Sequence, residues 1–597
     1  MATITQTSTV ITIDGAYKDF VGASGSTTTV IQYSSGDAPI SGDAGRFLMW
    51  KVTAGQTGTW QIRYIESATS TTVTVGDGGF SSAPPNGATF AISTNLDDIV
   101  SAVAGATNSG TSYIFDGREW NIENGAFLAD VNKSLEMTAA GSGSTNFEPH
   151  YLVETGCAVQ FGRLLGGEAN DSFETTEGCR LGMEVTVASI SVLGGYGTYS
   201  ANGPIFNLYG CQVETYGNDM FLRGGGPVRF IGCIFDGVMG GRWLSADTEI
   251  VQTRFSGNLN GGVAWSLGAT FTRPISDAVF YDNNTVCKGY QNFSGEFRNS
   301  TFTDTNTQII DSSGASSTLV FDFIDCTTFS DTKISSPKGT FNQAKSINYT
   351  LTDIAGTGLS DVKTAVYDNA GTIQTGLQTS VSGVINQINA TFFCRPHNSA
   401  TENKAPFDIR IRKYGYIYQG FQSAVSDAIL QEVRLPVNND LASTEVQAAA
   451  ITGIAINFAT ETITITEDHN AQSLYDYYQY QLYQDANMAY GEDLVKTGES
   501  FNLDDYDFVV DNATYTGDIT TTGNITFQNG AQGIGVFTSS SGTQTSISLT
   551  FNNLSTSTVE IFDNTGASVQ RYINQTGTLV YITPLGSTGS WSYIIDR

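Results

Sequence analysis

Between about residue 150 and residue 335 the chain rewrites one short phrase, and a repeat of this kind constrains a fold more tightly than composition does. Glycine, cysteine and then alternating apolar residues recur at Gly156-Cys157, Gly178-Cys179, Gly210-Cys211 and Gly232-Cys233. Two steps are 22 residues and the middle one is 32, as for a coil carrying an insertion. Variants follow at Thr253-Arg254-Phe255-Ser256, Ser300-Thr301-Phe302-Thr303 and Cys326-Thr327-Thr328-Phe329. One such β phrase is too short to bury its apolar face alone, so each coil must stack on the next. The pattern predicts an all-β-dominated chain with a central right-handed parallel β-helix. Antiparallel barrel or sandwich modules flank it, with a short helical segment near 444–490.

The flanks set the expected domain limits. Residues 1–95 read as short strands with Ser/Gly turns, among them Val10-Ile11-Thr12-Ile13 and Gln61-Ile62-Arg63-Tyr64-Ile65, and predict a small barrel or sandwich. Asn95, followed by Asp97 and Asp98, starts a helix that covers the first coil, so residues 96–340 hold a capping helix and the β-helix. Residues 341–440 read as a sandwich, from the alternation in Phe407-Asp408-Ile409-Arg410-Ile411-Arg412. Residues 441–514 mix helix and strand, and 515–597 form a C-terminal sandwich. Asp368-Asn369-Ala370-Gly371 and Asp563-Asn564-Thr565-Gly566 share a hairpin turn, through either related modules or convergent turn chemistry.

Two helices are expected in 441–514. Thr444 and Gln447 form a capping box. A second helix spans about 471–488, with Leu474, Tyr478 and Leu482 on one stripe and tyrosines on its other faces. That stripe packs either against its own domain or around a trimer axis.

Composition removes several function classes. The 597 residues carry 28 basic and 58 acidic side chains, a net charge of −30 that repels phosphate backbones, so nucleic-acid binding is not expected. No stretch reaches the ~18 apolar residues of a membrane span, so no membrane insertion is expected. The seven cysteines lack a Cys-x-x-Cys pair, and His150, His397 and His469 stand apart in sequence; neither a metal nor a cofactor is expected. The phrase cysteines read as a column of buried thiols.

Chemistry, if present, belongs on the outer faces of the coils. Trp243, Trp265, Tyr281 and Tyr290 can stack on sugar rings, and Asp236 and Asp247 can accept from sugar hydroxyls. Glu249, Asp277 and Asp282 lie nearby. Acidic residues at coil corners are also ordinary solvated turn formers, and no catalytic pair is distinguishable from spacing. The group Asp504, Asp505, Asp507 and Asp511 lacks the glycine and terminal glutamate of an EF-hand.

The N-terminal β module, central coils, sandwich modules and short helical stretch together resemble phage tail fibres and tailspikes in architecture. The resemblance implies a virion structural protein that is homotrimeric, joined to other virion proteins and attached to host-surface polysaccharide. Met1-Ala2-Thr3-Ile4 opens directly into β pattern, which fits synthesis in a host cytoplasm without a signal peptide. Two alternatives stand beside this one. One is a depolymerising tailspike, acting as a glycoside hydrolase or polysaccharide lyase. The other is a capsid fibre or decoration protein without a glycan role.

Overall fold

The structure is a computed structural model. It describes residues 2–50, 61–104 apart from 77, and 319–531 apart from nine positions at 336–337, 398, 442–443, 492–493, 522 and 530. Between 105 and 318, and between 532 and 596, it describes chiefly the strands. The chain is all-β in character and divides into two compact units, Met1–Ala344 with Phe393–Asn403, and Lys345–Phe392 with Lys404–Arg597.

Between Ser112 and Ala344 the chain visits several sheets in rotation, and its strands pair in parallel with those of the previous visit. One sheet runs through Val10–Asp14, Glu119–Glu123, His150–Val153, Ser172–Thr175, Ile205–Tyr209, Val228–Ile231, Glu249–Val251, Ile275–Ser276, Gly295–Arg298 and Val320–Ile324. A second runs from Phe127–Ala129 to Thr301–Phe302. Further strands on this rotation form sheets of seven and four strands.

The repeated phrase is the corner between the first and second sheets. Its leading residue takes a left-handed backbone, with φ between 48° and 67° at Gly210, Gly232, Gln252, Asp277, Asn299 and Asp325. The N–H of each donates to a carbonyl of the next coil at 2.8–3.0 Å. The residue after it is small and buried: Cys211, Cys233, Thr253, Ala278, Ser300 and Cys326. The polar members of this column are satisfied from within. Cys233 Sγ donates to Leu208 O at 3.1 Å, Thr253 Oγ1 to Phe230 O at 3.0 Å, and Cys326 Sγ to Phe297 O at 3.4 Å. Five cysteines are described, all buried and unbridged.

Beside this column, Phe235, Phe255, Phe280 and Phe302 stack in series, with ring centres 5.0, 5.3 and 5.0 Å apart. At another corner, buried Asn283 and Asn306 bond each other and the carbonyls of Phe255 and Phe280. These layers belong to one continuous hydrophobic cluster from Ile11 to Phe341.

A stack of coils exposes its apolar layers at both ends unless they are covered. At the start, helix α1 (Leu96–Ala102) places Leu96 and Ile99 on the same cluster as Ile11, Ile13 and Trp120. Asp98 holds the helix entry by accepting from Asn95 N–H and from Arg46 Nη1. At the other end, Phe393 packs against the cluster and pairs with Asn403, and His397 Nδ1 accepts from Gly339 N–H. The expected N-terminal barrel is present as six closed strands within 18–92, around Phe20, Trp50, Phe80 and Phe90. The first two strands lie outside it: Val10–Asp14 pairs in parallel with Glu119–Glu123, because its alternating isoleucines extend the coil core.

The second unit has two main cores. One gathers Tyr349, Val366, Phe407, Ile409 and Ile411. Its turns repeat at Asp353-Ile354-Ala355-Gly356-Thr357 and Asp368-Asn369-Ala370-Gly371-Thr372. In each, the aspartate Oδ1 accepts from the backbone N–H groups two and four residues on. The compared turn at 563–566 lies outside the described residues.

The other core surrounds helix α2 (Glu445–Ala449), helix α3 (Ala471–Gln484) and two sheets. Thr444 and Gln447 make the reciprocal bonds of a capping box, and Asn470 and Ser473 do the same for α3. Both sheets continue into the 515–597 span. In one of them Thr462–Ile465, Asp507–Asp511, Ile525–Gln528 and Ser548–Asn552 pair in parallel, with an antiparallel pair at each end. Inserting α3 between the first two of these strands hides their common step in the sequence.

Candidate functional site

Alternation along a strand turns every second side chain outward. On the first sheet, Phe230, Ile250, Phe297 and Phe323 point into the core, so the residue before each points out: Arg229, Glu249, Glu296 and Asp322. Arg229 and Glu249 are register partners, as are Glu296 and Asp322, and Asp322 is followed by Asn342. Glu249 Oε2 accepts from Arg273 Nη1 at 2.5 Å and lies 3.4 Å from Arg229 Nε. Glu296 bonds Arg298 on its own strand. Asp322 Oδ1 accepts from Asn342 Nδ2 at 2.8 Å.

Burial raises the Asp322 carboxyl above the ordinary aspartate range. The Asn342 bond opposes that shift and the charge of Glu296 adds to it. Two strands from the Arg229–Glu249 pair, the Glu296–Asp322 pair therefore presents a carboxyl raised above its ordinary range beside a second carboxylate and the Arg298 guanidinium. Such a set can donate to and accept from hydroxyl groups, or move a proton.

On the second sheet the outward groups are Arg254 and Tyr281. Tyr281 is 41% exposed, and the Arg254 guanidinium lies 5.4 Å from its ring centre. A half-exposed ring with a cation beside it offers a flat stacking surface with a donor at its edge.

Among the sequence candidates, Asp236 and Tyr281 share one register row, with Ser256 between them. Of Asp236 only the strand position is described. Tyr290 ends Thr285–Tyr290 on a different sheet. Trp243, Trp265 and Asp247 lie outside the described residues. Asp277 and Asp282 have φ of 54° and 55° and serve as corner residues. Sequence reading missed Arg229, Glu296 and Asp322, although each stands three residues before a corner residue, at the same place in the repeat as Glu249.

The trimer-stripe candidates take the other alternative. Leu474, Tyr478 and Leu482 are fully buried among Ile463, Ile465, Phe501 and Phe508 of their own unit. They form core because α3 is enclosed by its own sheets, which leaves no free stripe at these positions. Two acidic candidates near 507 are used locally: Asp507 Oδ1 accepts from Asn524 N–H at 2.6 Å and Asp511 Oδ1 from Asn529 Nδ2 at 2.7 Å. Among the described residues no group of three His, Cys, Asp or Glu is placed to hold a metal, and no helix is long and apolar enough to cross a membrane.

No protein-family model matches the chain, and no curated protein matches it. Among solved structures, the tailspike of Pseudomonas phage phi297 aligns with 67% of this chain and 80% of its own, at 10% identity and a TM-score of 0.15. A likeness at that level assigns neither fold nor function.

Proposed function

We propose that the chain is a phage virion appendage of the tail fibre or tailspike kind, whose coil stack is a right-handed parallel β-helix that contacts host-surface polysaccharide. The handedness follows from the rule that parallel strand crossovers are right-handed in about 98% of cases. The observation that carries the functional reading is the pair of outward rows. Arg229 with Glu249, and Glu296 with Asp322, supply two pairs of polar groups at the spacing of stacked strands, and Arg254 with Tyr281 supplies a ring and a cation on the next sheet. A polymer of hydroxylated rings is the ligand that uses both. The rows stand on a regular apolar stack, so their residues vary without disturbing the core.

The test is adsorption of the purified chain to host cells and to their extracted surface polysaccharide. Tyr281→Ala and Arg254→Ala each weaken adsorption about tenfold if the ring and cation make the contact. Wild-type chain that binds no surface glycan, on a particle whose immunogold label lies on the capsid, makes it a capsid fibre or decoration protein instead. A homotrimer belongs to the same proposal, and light scattering then gives three times the chain mass.

One observation favours an enzymatic second reading. Burial and the neighbouring Glu296 raise the Asp322 carboxyl above its ordinary range, the direction a general acid of a glycoside hydrolase needs. Release of short saccharides from polysaccharide by the wild type, lost in Asp322→Asn, supports it; binding without release rejects it.

A further inference from the structure

Cys211 and Cys233 are two of the five described buried thiols, none of which the outer rows use. They occupy the same position of the corner in adjacent coils: the residues after them, Gln212 and Ile234, are register partners, and Ile234 N–H donates to Cys211 O at 2.9 Å. The coils are close here, since a Cβ built on Gly232 would lie 3.8 Å from Gly210 Cα. Parallel partners stand about 4.8 Å apart, inside the Cα range that a disulfide spans. The neighbouring Cys211 side chain is the largest influence holding the Cys233 thiol below its ordinary value, against the opposing effect of burial. On its other side Cys233 meets Thr253, whose Oγ1 accepts from Cys233 N–H at 3.4 Å. Cys287, by contrast, is pushed well above its ordinary value by burial and by Asp311.

We propose that Cys211 and Cys233 form a peroxide-sensitive pair that closes into a disulfide and staples adjacent coils. The Cys233 thiolate attacks one oxygen of hydrogen peroxide. An S–O bond forms, the O–O bond breaks, and the leaving hydroxide takes a proton to become water. The Cys211 sulfur then attacks the Cys233 sulfenic acid. The S–S bond forms, the S–O bond breaks, and the leaving hydroxide takes the Cys211 proton as a second water. Two thiols are oxidised and one peroxide is reduced. The staple is independent of what the outer faces bind.

The experiment treats full-length chain with hydrogen peroxide, blocks remaining thiols with an alkylating reagent under denaturing conditions, and maps peptides by mass spectrometry. The expected product is a Cys211–Cys233 cross-linked peptide, reversed by reductant, with the melting temperature raised by roughly 5 °C. Cys211→Ser leaves Cys233 as a sulfenic acid that dimedone traps once the chain is denatured, and Cys287→Ser leaves the cross-link intact. Full alkylation of both thiols after peroxide, or a cross-link from either residue to Cys179 in its place, overturns the pairing. The wild-type map decides the matter even if a serine variant fails to fold.

Discussion

The corners of the coil stack and the loop after α3 face the same problem, backbone polar groups that regular structure leaves unpaired, and they answer it differently. At each corner the unpaired N–H is met by the next coil's backbone, so the residue there varies: Gly, Gln, Asp or Asn. After α3, side chains do the work. Arg412 donates to Leu482 O at 2.6 Å and Tyr490 O at 2.9 Å, Arg410 donates to Met488 O and Ala489 O, and Lys363 and Tyr367 donate to Tyr483 O and Asn487 O. Repetition lets the backbone satisfy itself and frees the sequence. A unique loop needs named side chains and fixes them.

The comparison can be broken in several places. Where the stack depends on side chains, in its aromatic column, truncation is costly: Phe255→Ala lowers stability by about 3–5 kcal/mol in denaturant unfolding. Arg412→Ala removes a charged donor from Leu482 O, which keeps only a long Asp485 N–H bond at 3.2 Å, and from Tyr490 O; it costs about 2 kcal/mol by the same measurement, and Arg412→Lys recovers less than half because it lacks the planar fork. The corner responds to backbone strain alone. Asp277→Val costs about 1–2 kcal/mol and Asp277→Gly is neutral or slightly stabilising. A cost for Asp277→Gly as large as that of Arg412→Ala would show that the aspartate side chain matters, and the contrast would fall.

Smaller effects sharpen the picture. The folded state raises the Asp322 pKa, so it favours the protonated form. Stability from this group is present below the unfolded aspartate pKa and lost as pH rises through the folded value. Asp322→Asn therefore raises the melting temperature at pH 7, and the gain fades toward about pH 4. A gain that persists unchanged at the lower pH would assign the effect to packing. The smallest change is at Tyr349, whose buried hydroxyl lacks a hydrogen-bond partner and whose pKa is pushed up to about 12 by burial. Tyr349→Phe shifts unfolding by no more than about 0.5 kcal/mol, in the stabilising direction if at all.

Much of the coil stack was legible in the residues. Gly210 and Gly232 mark corners because glycine accepts a left-handed backbone at low cost, and Asn299 and Asp277 tolerate it. Gln252 carries no such signal, and only its place between Val251 and the buried Thr253 makes it a corner. The capping residues Asn95, Thr444 and Gln447 were readable because capping is local. The outward row was not, since Glu296 and Asp322 are brought together by stacking and not by proximity in the chain.

The sequence by itself determined the β character, the repeated corner, the helix caps and the strong negative charge, because each rests on local chemistry or on counting. The tertiary structure alone decided that Val10–Asp14 joins the coils and not the barrel, and that α3 is enclosed by its own sheets. It also decided that Glu296 neighbours Asp322 and that the thiols of Cys211 and Cys233 meet. The physical reason is common to all four: pairing register between strands far apart in sequence is set by which apolar faces can be buried together, and only the folded chain settles that choice.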